Sequence, residues 1–176
     1  MNINQFIEEY KASANKEKYA EKHITKHYLP FEVKTGLAQK IIDSSMYVEL
    51  GGKRIFRPNT PSKRFCTTLA IMQNYTDIEM GDPSNKDVPL GQQNLNSFNL
   101  LEESGATVAI MKAIGVDVMQ FDNIIDMTLQ DTLDMERSLV PFLETKVEAM
   151  SMAMEVIGQT LKEAQAQAEE KDVNNG

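Results

Sequence analysis

Apolar residues recur along this chain mostly at helical spacing. Ile3, Phe6, Ile7 and Tyr10 fall at i, i+3, i+4 and i+7, the mark of one buried helix face. Asn2 or Asn4 can cap that helix, because a short polar side chain accepts an orphan backbone N–H. A second short helix is predicted over 16–23. A third starts at Pro30, a favourable first-turn residue, and carries Val33, Leu37, Ile41 and Ile42 on its apolar side.

The period then changes. Tyr47–Leu50 and 53–57 are short β-prone runs on either side of Gly51-Gly52, and paired glycines supply the positive φ of a primed hairpin turn. Asn59-Thr60-Pro61 opens another helix, with Thr60 as cap, Pro61 as first residue and Phe65, Leu69 and Met72 as its buried stripe. Residues 78–96 hold Gly81-Asp82-Pro83 and Pro89-Leu90-Gly91 among many Asn and Gln, with little apolar period, and read as a mobile loop. Helical spacing resumes at Ser97, breaks at Gly105 and again at Gly115, and continues from a cap at Asp117 through Phe121, Ile124, Ile125, Leu129 and Leu133.

The clearest pattern is the last. Leu143, Val147, Met150, Met154, Ile157, Leu161, Ala164 and Ala168 alternate in steps of four and three, a heptad seam of about four repeats. A helix over about 139–168 is predicted, capped by Ser138 with Pro141 in its first turn. Two packings compete for the seam. The helix turns back antiparallel on 117–137 of its own chain, or it projects and forms an intermolecular coiled coil. The flanking positions hold Glu144 and Lys146 but otherwise Ser151, Ala153, Gly158, Thr160 and Gln165, so salt bridging adds little. Together these elements predict a mainly α protein: a single helical domain over 1–170, one small β-hairpin, a long heptad-patterned helix and a disordered tail over 171–176.

Charge adds a second feature. The net charge is −8, but residues 1–72 carry twelve Lys/Arg against seven Asp/Glu, and residues 73–176 carry six against nineteen. A chain polarised in this way offers a basic face to an acidic partner, another copy included, unless its halves neutralise each other on folding. Lys53, Arg54, Arg57, Lys63 and Arg64 concentrate the positive charge, with Phe56 and Phe65 interleaved and no acid among them. Direct nucleic-acid binding is the less favoured use of this patch, because the pI is near 4.8.

Candidate chemistry is sparse. The two histidines, His23 and His27, are spaced to share a helix face, but Ile24 stands where a zinc-protease motif requires glutamate. Gly51-Gly52-Lys53-Arg54 lacks the first glycine and the hydroxyl of a phosphate loop. Cys66, the single cysteine, lies in a predicted apolar helix, where a thiol is inert filling. Asp122, Asp126, Asp131 and Asp134 do not share one face and read as a solvated surface. No catalytic, metal or cofactor site is expected. No stretch approaches the roughly 18 to 20 apolar residues of a membrane span, so no membrane partner is expected either.

Four phrases carry a resemblance: His23-Ile24-Thr25-Lys26-His27-Tyr28-Leu29-Pro30, Tyr75-Thr76-Asp77-Ile78, Phe98-Asn99-Leu100-Leu101-Glu102-Glu103-Ser104-Gly105, and Glu136-Arg137-Ser138-Leu139-Val140-Pro141-Phe142-Leu143. In order and character they resemble small proteins of the structural and morphogenesis modules of tailed bacteriophages from Gram-positive hosts, across most of residues 1–160. The resemblance implies a virion component or assembly factor, found in the host cytoplasm or the particle, with other phage structural proteins or its own copies as partners. It supplies no functional residues. The alternative expectation is a phage-encoded regulator or inhibitor that binds a host protein or nucleic acid.

Overall fold

The computed structural model describes residues 1–82 and 85–173, leaving out, within its last helix, the side chains of 139–141, 144, 145, 149, 156 and those from 158 onward. Among the described residues it is mainly helical, with one two-stranded antiparallel hairpin. The elements are α1 (Ile3–Ala12), α2 (Lys16–Glu21), α3 (Phe31–Met46), β1 (Tyr47–Leu50), β2 (Lys53–Phe56), α4 (Thr60–Tyr75), α5 (Leu90–Ser104), α6 (Ala106–Ile114) and α7 (Val116–Val173). The chain divides into two compact units, Met1–Gln130 and Asp131–Gly176, where the apolar pattern suggested a single domain over 1–170.

The first unit is built on one apolar core. The Asn2 side chain caps α1, and Ile3, Phe6, Ile7 and Tyr10 are all buried, as their spacing predicts. Asn15 caps α2 and Asn59 caps α4, the latter by accepting from the Ser62 backbone N–H, so the cap sits one residue before Thr60. Helix α2 packs on α6, α3 on α4, and α5 on α1, α4 and α6. Val118, Phe121 and Ile125 of α7 complete the same core. Gly51 and Gly52 hold φ of +58° and +73°, which lets the hairpin turn in two residues. Its register pairs Tyr47 with Phe56 and Leu50 with Lys53.

Several elements differ from the sequence expectation. The loop expected over 78–96 ends at Pro89, and the polar run 90–96 is helical. Gln is a good helix former and Asn a mediocre one, neither a breaker, and Ser97 and Leu101 give α5 a buried side. Residues 78–82 are anchored as well. Ile78 and Met80 are buried, the Glu79 N–H donates to the Met1 carbonyl at 2.8 Å, and the Ser97 hydroxyl donates to the Met80 carbonyl. The tail expected to be disordered from 171 is helical to Val173, and Asn174–Gly176 lie outside the described residues. Ser138 does not cap a new helix. Its hydroxyl donates to the Asp134 carbonyl at 2.8 Å within the continuous α7, and no turn opens there.

The largest departure concerns α3. Its buried side runs through Lys34, Ala38, Ile41, Ile42 and Ser45, while Val33 is exposed and Leu37 only half-buried. The helix is turned by about one residue because Lys34 has a partner inside. Its ammonium lies 2.5 Å from Oδ1 of Asp117, and the two side chains are 3% and 6% exposed. The other Asp117 oxygen accepts from the Tyr75 hydroxyl at 2.7 Å and from the Leu29 backbone N–H at 3.0 Å. Asp117, read from the sequence as a cap, is thus a buried hub inside the first turn of α7, which begins at Val116.

Burial by itself would push the Asp117 carboxyl upward. The hydrogen bonds from Lys34, Tyr75 and the Leu29 backbone overcome it and hold the group below the usual carboxylate range. A carboxylate depressed in the folded state stabilises the fold fully above its unfolded pKa, about 3.9, and loses that contribution as pH falls through the lower folded value. Urea melts should therefore show an Asp117-dependent loss of stability that sets in as pH falls below about 4 and grows until the folded pKa is passed. At neutral pH, Lys34→Met and Asp117→Asn should each cost about 3–5 kcal/mol by leaving a buried group without its partner. The pair Lys34→Met with Asp117→Leu should lose less than the sum of the two single changes.

Candidate functional site

The structure separates the five cations of the basic cluster by environment. Arg54 projects from β2, where its guanidinium lies 3.9 Å from the Tyr47 ring centroid and 2.5 Å from the Asp43 carboxylate. Lys63, in the first turns of α4, reaches Asp126 of α7 at 2.8 Å. Arg64 pairs with Glu102 of α5. Lys53 at the hairpin turn and Arg57 just after β2 are exposed, and neither holds an ion pair among the described residues. Carboxylates thus occupy three of the five cations, two of them, Asp126 and Glu102, supplied from the acidic half of the chain. Two of these pairs, Lys63 with Asp126 and Arg64 with Glu102, set charge of the acidic half against the basic cluster.

What remains is a hairpin surface with a clear division of faces. Tyr47, Glu49, Arg54 and Phe56 alternate onto one face, where the Tyr47 and Phe56 rings meet edge to face at 5.4 Å. Val48, Leu50, Lys53 and Ile55 lie on the other, and Leu50 and Ile55 are exposed. Arg57 also lines an open hollow with Ser44, Thr60 and Ser62. These residues form a mixed apolar and cationic surface.

The second surface lies in the unit Asp131–Gly176. Leu143, Val147, Met150, Met154 and Ile157 lie along α7 and are 57–69% exposed. Side chains of Leu161, Ala164 and Ala168 lie outside the described residues. Five large apolar side chains on a strict heptad, all facing water, are an unsatisfied seam: the spacing lines them up and nothing among the described residues covers them.

The candidate chemical residues lie apart from one another. His23 and His27 do not share a helix face, since α2 stops at Glu21. His23 pairs through Nδ1 with Asp77 at 2.9 Å and packs edge-on against Phe6, while His27 is exposed. Nearby, the Tyr19 hydroxyl donates to Glu9 at 2.7 Å. Burial and that carboxylate push its pKa up to about 12. Cys66 is half-buried and burial pushes its thiol up. No group of three or more potential metal ligands occurs among the described residues. No helix there is long and apolar enough to cross a membrane.

Sequence reasoning missed the Lys34–Asp117–Tyr75 cluster. Its only signal is that Lys34 is in phase with Ala38, Ile41, Ile42 and Ser45. No protein-family model, curated protein or solved structure matches this chain.

Two outcomes follow from these environments. Cys66 should alkylate more slowly than a free thiol at neutral pH, and urea should abolish the difference, because only the thiolate reacts. Arg54→Ala should cost about 1 kcal/mol in a urea melt, since it loses ring stacking together with its carboxylate. Arg64→Ala, an exposed pair alone, should cost less.

Proposed function

We propose that this chain is a non-catalytic bacteriophage assembly or structural accessory protein that acts through protein–protein contacts and associates with its own copies along α7. The exposed heptad seam carries this reading. Burying a large apolar side chain is worth about 1.5–3 kcal/mol. Five of them left in water on one stripe give a second helix of matching period a strong reason to bind. The four phrases that resemble phage morphogenesis proteins supply the biological setting. A second contact is assigned to the hairpin surface, where Lys53 and Arg57 keep their charge free for an acidic partner.

Light scattering on the full chain at low and high salt tests the reading. Self-association that persists in high salt and is lost in Val147→Glu with Met154→Glu is the expected result, because a hydrophobic seam resists screening and a buried unpaired charge does not. A monomer under all conditions would sink the self-association and favour the second reading: a regulator that meets an acidic host partner one to one through the hairpin. Reversing Lys53, Arg54 and Arg57 to Glu should abolish the heterologous contact while leaving the seam intact.

A further inference from the structure

Outside the heptad seam, two exposed stripes of this chain carry opposite charge in the same order. On the hairpin, Lys53 and Ile55 share one face of β2. The Arg57 N–H donates to the Met46 carbonyl at 2.7 Å, which continues the strand pairing by one step and keeps Arg57 in alternation with them. Both cations are exposed, and Ile55 between them is 44% exposed. Glu49, the one acid of the two strands, lies on the opposite face. On α7, Glu148, Met152 and Glu155 fall at i, i+4 and i+7, one face of the helix. Both acids are exposed, and Met152 between them is 66% exposed. With Val147 at a, these are b and f positions, so pairing through the seam leaves them in water. None of the four charged groups holds an ion pair among the described residues.

We infer that the cationic stripe of one copy binds the acidic stripe of another, so that the acidic partner of the hairpin is α7 of a second copy of this chain. The spacings agree. Four residues of strand set Lys53 and Arg57 about 13 Å apart, and seven residues of helix set Glu148 and Glu155 about 10.5 Å apart. The long stems of Lys and Arg span the difference. Docking places each cation against a carboxylate and Ile55 against Met152, so charge complementarity sets the register while apolar surface is buried beneath it. The Lys146 ammonium does not interfere, since it lies over the Phe142 ring at 5.5 Å, two residues before Glu148 and on the other side of the helix. Unlike surfaces meet, so the contact is heterologous, whereas the seam joins like to like. Salt weakens exposed ion pairs and spares the apolar seam. The inference rests on the hairpin contact proposed above and names its partner.

Full-length chains with and without heavy-isotope label are refolded together from urea and treated with a carbodiimide, which joins an ammonium to a carboxylate in contact with it. Mass spectrometry of the digest is expected to show Lys53 linked to Glu148 or Glu155 in pairs of unlike label at low salt, and loss of those pairs at high salt. Arg57→Glu leaves Lys53 and both acids in place and should lower the link several-fold, with unchanged helicity by circular dichroism. Lys53→Glu with Arg57→Glu, and Glu148→Lys with Glu155→Lys, should each give no link alone. Refolded together, these two variants should regain it between the same positions. Lys53 linked only to other carboxylates, or only within chains of like label, would overturn α7 of a second copy as the partner. So would a mixture of the two variants that gives no link. Light scattering at high salt reads the seam separately. An oligomer that persists there in a chain without the link leaves the seam standing and removes this contact. A link in chains that are single at high salt keeps this contact and removes the seam.

Discussion

The ion pair of Lys34 and Asp117 is the constraint on which the rest of the first unit depends. Two charges this far from water cost several kcal/mol each unless every lone pair and proton finds a partner. Here they do: Asp117 receives the Lys34 ammonium, the Tyr75 hydroxyl and the Leu29 N–H. Lys34 also reaches the Gln120 side chain at 3.3 Å and lies 5.1 Å from the Tyr28 ring centroid. One carboxylate therefore ties together the loop before α3, the face of α3, the end of α4 and the start of α7. The inward turn of Lys34 on α3 goes with it, and so does the burial of Asp117 in α7's first turn.

Tyr75 extends that control. Its hydroxyl serves Asp117, and its carbonyl accepts from the backbone N–H groups of Thr25 and Lys26. The residues beyond it are paired as well, Thr76 with Ile24 and Glu79 with Asn2 in isolated bridges. His23 and Asp77 close the same edge through their side chains. A segment rich in turn residues is thereby held to the N-terminal helices by backbone bonds, and Ile78 and Met80 fill the core beneath. His23, a candidate ligand by its spacing, is engaged here with Asp77 and Phe6.

The two units treat apolar side chains in opposite ways. In Met1–Gln130 many of the large ones, Phe6, Tyr75 and Phe121 among them, are buried in one core, while others such as Leu50, Ile55 and Met127 stay exposed. In Asp131–Gly176 the described ones from Met135 to Ile157 are exposed along one helix. An isolated helix gains little from propensity alone, since most helical stability comes from packing of an apolar face. The second unit thus has in its stripes the surface that association would bury, and the proposed role follows from that contrast.

Local order decided what could be read beforehand. Caps at Asn2, the Gly51-Gly52 turn, the stop at Gly105 and the heptad from Leu143 depend on neighbours within a turn or two, so the residues alone determined them. The basic cluster was legible as charge, but its partial neutralisation was not, because Asp126 and Glu102 lie far along the chain from Lys63 and Arg64. The burial of Lys34 was hidden for the same reason: a lysine enters a core only where a carboxylate waits, and Asp117 is brought there by folding. The sequence by itself determined the helical character, the hairpin and the period of the seam. Tertiary structure alone decided which charges are spent inside the fold, because those pairings join residues that only packing brings within reach.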